Sequence, residues 1–213
     1  MKKLTLVFIL LFVLTSVCAM GENPKSAPTY DGSKQLKDFI ELMDKANLEF
    51  EKPEGFIETP VIENDQVHYD YALKHPDKHF EVRYRIEPFE SFLQSYEEMG
   101  ISKEAAMIKL NKMFDSWFVV ISLNVYAGKL KENEMPKIAQ FPEKAVKTEF
   151  NAERGFFSLG EVGKEFGQDY NHCAIVGIHR DNIGNAFCFY LYDKPEDYYN
   201  LGLPIFYSLK FKK

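Results

Sequence analysis

Hydrophobic and polar residues alternate in two neighbouring stretches of the chain that together cover residues 67–86. The sequence HPDK at positions 75–78 separates them, and proline followed by aspartate is typical of a tight turn. The pattern predicts a β-hairpin with one buried and one polar face, in which Asp70 lies opposite Arg83 as an ion pair. The predicted buried face consists of Val67, Tyr69, Tyr71, Leu73, Phe80, Val82, Tyr84 and Ile86.

The polar face of this hairpin is the candidate binding site. It carries His68, Asp70, Arg83 and Arg85, residue types that suit an anionic ligand or a charged partner surface. A solvated face of an antiparallel sheet has the same pattern, so both interpretations stay open. His79 lies about six residue pairs from His68, roughly 20 Å at ~3.4 Å per residue. The histidines of this stretch therefore predict no metal site.

A second hairpin is predicted between His172 and Asp193, with a turn near Asp181–Gly184. Its strands are apolar on both faces, which is typical of central strands covered on both sides. In the expected pairing Cys173 lies opposite Tyr192, and Cys188 lies about four residues further along, or ~13 Å. A disulfide requires Cα atoms within about 7 Å of each other. The sequence therefore predicts two buried free thiols and no disulfide.

Apolar residues at helical spacing predict three helices around these hairpins. The first is expected from Ser33, as its N-cap, to about Asn47, the second over Phe89–Met99, and a long third one after Ser102. Residues 129–147 are expected to form a long loop with at most one helical turn, and residues 205–211 alternate like a last strand. The combination predicts an α+β fold with helices packed against an antiparallel sheet.

The first 19 residues have the pattern of a secretory signal peptide. Lys2 and Lys3 precede an apolar run over residues 4–17, and the run is shorter than the roughly 20 residues of a membrane span. We expect cleavage after Ala19, and therefore an extracytoplasmic protein that is periplasmic or secreted. No later stretch is apolar enough to span a bilayer.

The residues around the cleavage site leave one alternative open. Cys18 could carry a bacterial lipid anchor, although Val17 fits poorly as the residue before a lipidated cysteine. With cleavage after residue 19, residues 20–30 are expected to form a flexible leader and residues 31–213 a single domain.

Composition and charge narrow the classes of partner. Aromatic residues make up 15% of the chain, enough to fill a large core. Loss of Lys2 and Lys3 with the signal changes the net charge from −6 to about −8. Nucleic acid is therefore not an expected partner, because its binding depends on neutralising phosphates.

Motif searches provide no catalytic constellation. The chain lacks a Gly-x-Ser-x-Gly elbow, a His-Glu-x-x-His sequence, a Walker loop and a Cys-x-x-Cys pair. His172 precedes Cys173, but adjacent strand residues point to opposite faces and cannot act as base and nucleophile. Glu153 and Glu161 are loop carboxylates that we expect to be solvated. We therefore expect no catalytic residue, no metal and no cofactor.

The order of elements resembles a known group of proteins. PEGF at residues 53–56 precedes FEVRYRIEP at residues 80–88, and a helical middle leads to FGQDYNHCAIVGIHRDNIGNAFCFYLYD at residues 166–193. This order is similar to that of PsbP-like and DcrB-like extracytoplasmic proteins, or of an uncharacterised family of small bacterial envelope proteins. The resemblance implies an α/β/α sandwich and an accessory role, and it transfers no functional residue.

Three functional hypotheses follow for the chain. The leading one is a non-catalytic extracytoplasmic module that binds a protein partner or a small ligand. The second is a cell-envelope hydrolase that uses scattered carboxylates and histidines. The third is a lipid-anchored surface protein.

Overall fold

The computed structural model describes residues 31–213, in which antiparallel sheets carry helices packed against them. The predicted α+β class is confirmed. The predicted signal peptide, Cys18 and the leader at residues 20–30 lie outside the described residues. No helix within residues 31–213 has the length and apolar character needed to cross a membrane.

The described part of the chain contains nine strands and six α-helices. The strands are β1 (Leu48–Phe50), β2 (Ile57–Glu58), β3 (Tyr71–Lys74), β4 (Phe80–Pro88), β5 (Ile138–Gln140), β6 (Arg154–Glu161), β7 (His172–Arg180), β8 (Gly184–Tyr192) and β9 (Leu209–Phe211). The helices are α1 (Gly32–Lys45), α2 (Glu90–Glu98), α3 (Lys103–Val125), α4 (Glu143–Ala145), α5 (Lys164–Gly167) and α6 (Pro195–Asp197). Seven strands form one sheet in the order β2-β3-β4-β8-β7-β6-β5, and β1 pairs with β9.

Each face of the large sheet is covered by its own hydrophobic core. On one face, α1 buries Phe39 and Met43 against side chains of β3, β4 and β8. On the other face, α3 buries Phe114 and Phe118. The predicted two-sided burial of the second hairpin is confirmed, because Cys188 faces the α1 layer while its neighbours on β8 face α3.

Local signals set the helix boundaries. The hydroxyl oxygen of Ser102 accepts the backbone N–H of Ala105 at 3.3 Å, which confirms the predicted N-cap of α3. The predicted cap of α1 at Ser33 is wrong. Asp31 performs this role, because its carboxylate accepts the backbone N–H groups of Ser33 and Lys34. A carboxylate at this position also interacts favourably with the helix dipole.

The register of the first hairpin differs from the predicted one. Arg83 lies opposite Ala72, two residues away from the expected Asp70. The turn is longer than predicted, and regular pairing in β3 begins only at Tyr71. The expected Asp70–Arg83 ion pair therefore does not form. Val67 and Tyr69, expected on the face toward α1, leave the sheet and pack in the core beneath α3.

The polar face of β4 is covered by other parts of the chain. Glu81, Arg83, Arg85 and Glu87 alternate along it, on the side toward α3. Glu81, Arg83 and Glu87 are buried and Arg85 is half-buried. The alternation of β4 predicted a strand with one apolar and one polar face. Segments that are distant in sequence bury the polar face.

The second hairpin is shifted by one residue from its predicted pairing. Residues 181–183 form a three-residue loop between Arg180 and Gly184, one residue shorter than the expected four-residue turn at 181–184. Cys173 consequently lies opposite Leu191. The two cysteines point to opposite faces of the sheet, and both are buried and free.

Two segments differ from their predicted structure. In the expected loop at residues 129–147, α4 matches the single helical turn that the prediction allowed, but the strand β5 was not expected. The expected last strand at residues 205–211 shortens to β9, and a 3-10 turn at Leu203–Ile205 precedes it. Alternation across residues 205–208 therefore reflects packing of an irregular segment and not strand pairing.

Candidate functional site

The four residues predicted as one polar patch lie in three different environments. His68 and Asp70 border a large open groove beside α1. Arg83 is buried under two aromatic rings, and Arg85 lies in a smaller cavity on the other side of the Val67 backbone. Arg83 is buried apart from the other three, whereas Asp70 contacts His68 and interacts with the charge of Arg85.

A groove of considerable size lies between α1 and the segment at residues 61–70. It encloses about 1240 Å³ and is open to solvent. We call it the acidic groove, and it is lined by Asp31, Lys34, Gln35, Asp38, Phe39, Leu42, Val61, Ile62, Glu63, Asn64, Asp65, His68, Tyr69, Asp70 and Glu165.

Side-chain hydrogen bonds build the outer wall of the acidic groove. Gln35 of α1 donates to the carbonyl of Thr59 at 3.1 Å and accepts the N–H of Val61 at 3.0 Å. The hydroxyl oxygen of Tyr69 accepts the N–H of Ile62 at 2.8 Å. These bonds take the place of a strand ladder and satisfy the backbone of an irregular segment.

Asn64 fixes the lower part of the same wall. Its side-chain oxygen accepts the N–H groups of Gln66 and Val67, at 3.1 and 2.9 Å. Gln66 in turn donates to the carboxylate of Glu165 at 2.5 Å. The wall is therefore attached to α1 at one end and to α5 at the other.

The rim of the acidic groove is negatively charged and its floor is apolar. Six carboxylate side chains line it, against one lysine and one histidine. Asp38, Glu63 and Asp65 are exposed. Phe39 and Tyr69 form buried parts of the floor.

Asp70 is the carboxyl group of the acidic groove whose pKa is raised. Burial raises its pKa above the ordinary aspartate value, although hydrogen bonds oppose this rise. Its Oδ2 accepts the N–H of Ile86 at 2.7 Å, and its Oδ1 lies 3.0 Å from Nε2 of His68. Both oxygens are thus engaged by groups that hold the side chain against the end of β4.

Arg83 supports the groove from below. Its Nε donates to Glu81 at 2.5 Å, its Nη1 donates to the carbonyl of Phe166, and its Nη2 has no recorded partner in residues 31–213. The guanidinium lies 4.8 Å from the ring centre of Tyr69 and 4.9 Å from that of Phe166. Only 1% of the side chain is exposed. Arg83 is therefore a positioning residue for Tyr69.

The remaining histidines and the thiols have surroundings that do not suit a nucleophile and base. Both nitrogens of His79 lie near carboxylates, at 2.6 Å from Asp193 and 3.1 Å from Asp169. Burial raises the pKa of Cys188 to about 12 and that of Cys173 further still. Residues 31–213 contain no cluster of three metal-ligating side chains.

Most residues of the acidic groove were missed by reasoning from the sequence. The acidic run Glu63-Asn64-Asp65 follows a proline and has no helix or strand periodicity, so it reads as an ordinary loop. Its position opposite α1 depends on the long-range bonds of Gln35. A possible signal was the excess of acidic residues in this segment, close in sequence to His68.

No protein-family model, no curated protein and no solved structure matches this chain. The site is therefore interpreted from its own geometry.

Proposed function

We propose that this protein is a non-catalytic, extracytoplasmic binding module, periplasmic or secreted. In this proposal its acidic groove holds a positively charged segment of a partner protein. The observation that carries it is the combination of an apolar floor with a carboxylate rim in one large groove. The resemblance to PsbP-like and DcrB-like proteins supports an accessory role.

Charge and shape together favour a basic peptide segment as the occupant. Carboxylates that line a cleft focus the field and attract cations, and they accelerate association with a complementary partner. Lysine and arginine also carry apolar stems, which can cover Phe39 and Leu42 while the charged heads reach the rim. A nucleic acid or an anionic ligand would be repelled by the same rim.

The second candidate is the cell-envelope hydrolase, and Asp70 is the observation that favours it. A carboxyl group with a raised pKa in a cleft is a feature of general acids. Its hydrogen bonds to Ile86 and His68 argue for a structural role instead. The variant Asp70→Asn separates the two roles. If Asp70 is the general acid of a hydrolase, the unmodified protein hydrolyses a polymer and the folded variant does not. If Asp70 has only a structural role, neither protein shows hydrolysis.

The test of the binding proposal uses a labelled peptide of alternating lysine and leucine, compared with a glutamate–leucine peptide. We expect saturable binding of the basic peptide, measured by fluorescence anisotropy, and weaker binding at high salt because exposed charges are screened. The triple variant Asp38→Asn, Glu63→Gln and Asp65→Asn should bind roughly tenfold more weakly. Three exposed charge contacts of about 0.5 kcal/mol each amount to such a factor.

A matched control separates the groove from the overall charge. The variant Glu97→Gln, Glu132→Gln and Glu196→Gln removes the same charge from exposed positions outside the groove. It should bind like the unmodified protein. Equal binding of both peptides, or equal weakening in both variants, would contradict a specific groove.

A further inference from the structure

A second, smaller cavity lies between α2, α3 and β4, on the opposite side of the sheet from most of α1. It encloses about 290 Å³, at the small end of the range for ligand pockets of about 300–1,000 Å³. We call it the Arg85 cavity, and it is lined by Gln66, Val67, Arg85, Glu87, Phe92, Trp117, Val120, Ile121 and Asn124.

The charged groups of the Arg85 cavity differ in how many of their hydrogen-bonding atoms have partners. Glu87 has a side chain only 7% exposed; one of its oxygens forms an ion pair with Arg85 at 2.5 Å, and the other accepts a hydrogen bond from Asn185 at 3.0 Å. In residues 31–213 the guanidinium of Arg85 has this single recorded ion-pair partner, and 26% of the side chain is exposed. A guanidinium has five N–H donors. The cavity thus offers donors and lacks a free carboxylate acceptor.

The walls of the Arg85 cavity are apolar and aromatic. Phe92 of α2 and Trp117 of α3 contact each other with ring centres 5.7 Å apart. Val120 and Ile121 continue this wall toward Val67. The apolar part of a ligand bound here would be shielded from water by side chains of α2 and α3, whose positions are already fixed by the packing of the two helices.

We propose that the Arg85 cavity binds a small carboxylate with a short apolar body, with the carboxylate on Arg85 and the body against Trp117. Arginine binds carboxylates through two parallel N–H bonds, which favours this group over a hydroxyl or an amine. An ammonium group would be repelled by the neighbouring guanidinium of Arg85, and Glu87, the one carboxylate that residues 31–213 place in the cavity lining, is already paired with that guanidinium. This site is separate from the acidic groove and does not depend on the function proposed for it.

The only tryptophan of the chain is Trp117, so its fluorescence reports directly on the Arg85 cavity. The probes are hexanoate and benzoate, compared with hexanol and hexylamine. We expect a saturable change in emission with the two carboxylates, and affinity at least tenfold weaker for the alcohol and the amine. Equal affinity for all four compounds, or no saturable change with either carboxylate, would overturn the proposal.

Variants separate the guanidinium from general packing. Arg85→Gln should weaken binding of hexanoate at least tenfold, whereas Arg180→Gln, a half-buried arginine outside the cavity, should leave it unchanged. If Arg85→Gln does not fold, Val120→Trp provides the second test. Val120 is 51% exposed at the rim, so a larger side chain can fill the cavity without entering the core.

The expected result for Val120→Trp is loss of hexanoate binding by calorimetry, because this variant adds a second tryptophan. Unchanged binding in a folded Arg85→Gln or Val120→Trp protein would overturn the proposal. The triple groove variant should bind hexanoate normally, so failure of the groove proposal and failure of this one give different results.

Discussion

Replacement of Arg83 by methionine tests whether the buried ion pair supports the fold. Methionine keeps most of the side-chain volume but leaves Glu81, whose side chain is 12% exposed, without its charged partner. Removal of one partner from a buried pair costs about 3–5 kcal/mol. The contacts with the rings of Tyr69 and Phe166 are also lost, and each partly buried cation–π contact contributes about 0.5–2 kcal/mol.

We expect Arg83→Met to lower the free energy of unfolding by about 4 kcal/mol. The assay is urea unfolding followed by circular dichroism. For a domain of this size, each kcal/mol corresponds to about 2–4 °C in melting temperature. The expected fall in melting temperature is therefore roughly 8–16 °C.

A double variant identifies the physical cause. Glu81→Leu combined with Arg83→Met removes both charges and should recover most of the lost stability, because an apolar pair of similar volume avoids the desolvation cost. A loss below about 1 kcal/mol in Arg83→Met, the value of an exposed pair, would refute the reasoning. A double variant no more stable than the single one would show that ring contacts, and not the uncompensated Glu81, dominate.

Two further predictions concern titration and thiol reactivity. Partial burial opposes the charged form of His79, but hydrogen bonds and charge from Asp193 and Asp169 raise its pKa above the ordinary value. The protonated ring therefore stabilises the folded state, by at most about 1 kcal/mol for an exposed cluster. This stabilisation should be present below about pH 6.5 and lost as pH rises through the folded pKa. Urea unfolding from pH 5 to 9 should show it, and a His79→Gln variant with the same pH dependence would contradict it. Cys173 and Cys188 should resist a thiol reagent at pH 8 and react on unfolding, as checked by peptide mass mapping; rapid modification of either in native buffer would contradict their burial.

The parts of the fold that were predictable depend on neighbours in sequence. Ser102 caps α3 through a residue three positions away, and the two-sided apolar pattern of β7 and β8 requires only that both faces be covered. Hairpin registers were harder to predict, because a loop at 181–183 that is one residue shorter than expected shifts every pair. The prediction of which side chains of β3 and β4 share a face is still correct, because their pairing is shifted by two residues and an even shift preserves side-chain direction.

The candidate site was difficult to predict from the sequence because residues that are distant along the chain form its walls and bury its charged side chains. Arg83 was expected on a polar surface, yet the carbonyl oxygen of Phe166, 83 positions away, accepts a hydrogen bond from Arg83, and the ring of Phe166 packs on its guanidinium. The acidic groove likewise needs Gln35 to hold the chain at Val61. Such contacts leave no periodic signal in either segment.

The segment at residues 61–70 contributes side chains to both the acidic groove and the Arg85 cavity, and hydrogen bonds hold its backbone between them. Val67 is buried beneath α3, and Asn64 holds its N–H at 2.9 Å. Asn124 of α3 donates to the carbonyl of Gln66 at 3.1 Å. Because these bonds fix the backbone between the two sites, charge changes on the groove rim should not alter the geometry around Arg85. Coupling between the two sites is therefore electrostatic, and it runs through Asp70 and Arg85, because the charge of Arg85 lowers the pKa of Asp70. Exposed charges further apart are screened over about 10 Å at 0.1 M salt.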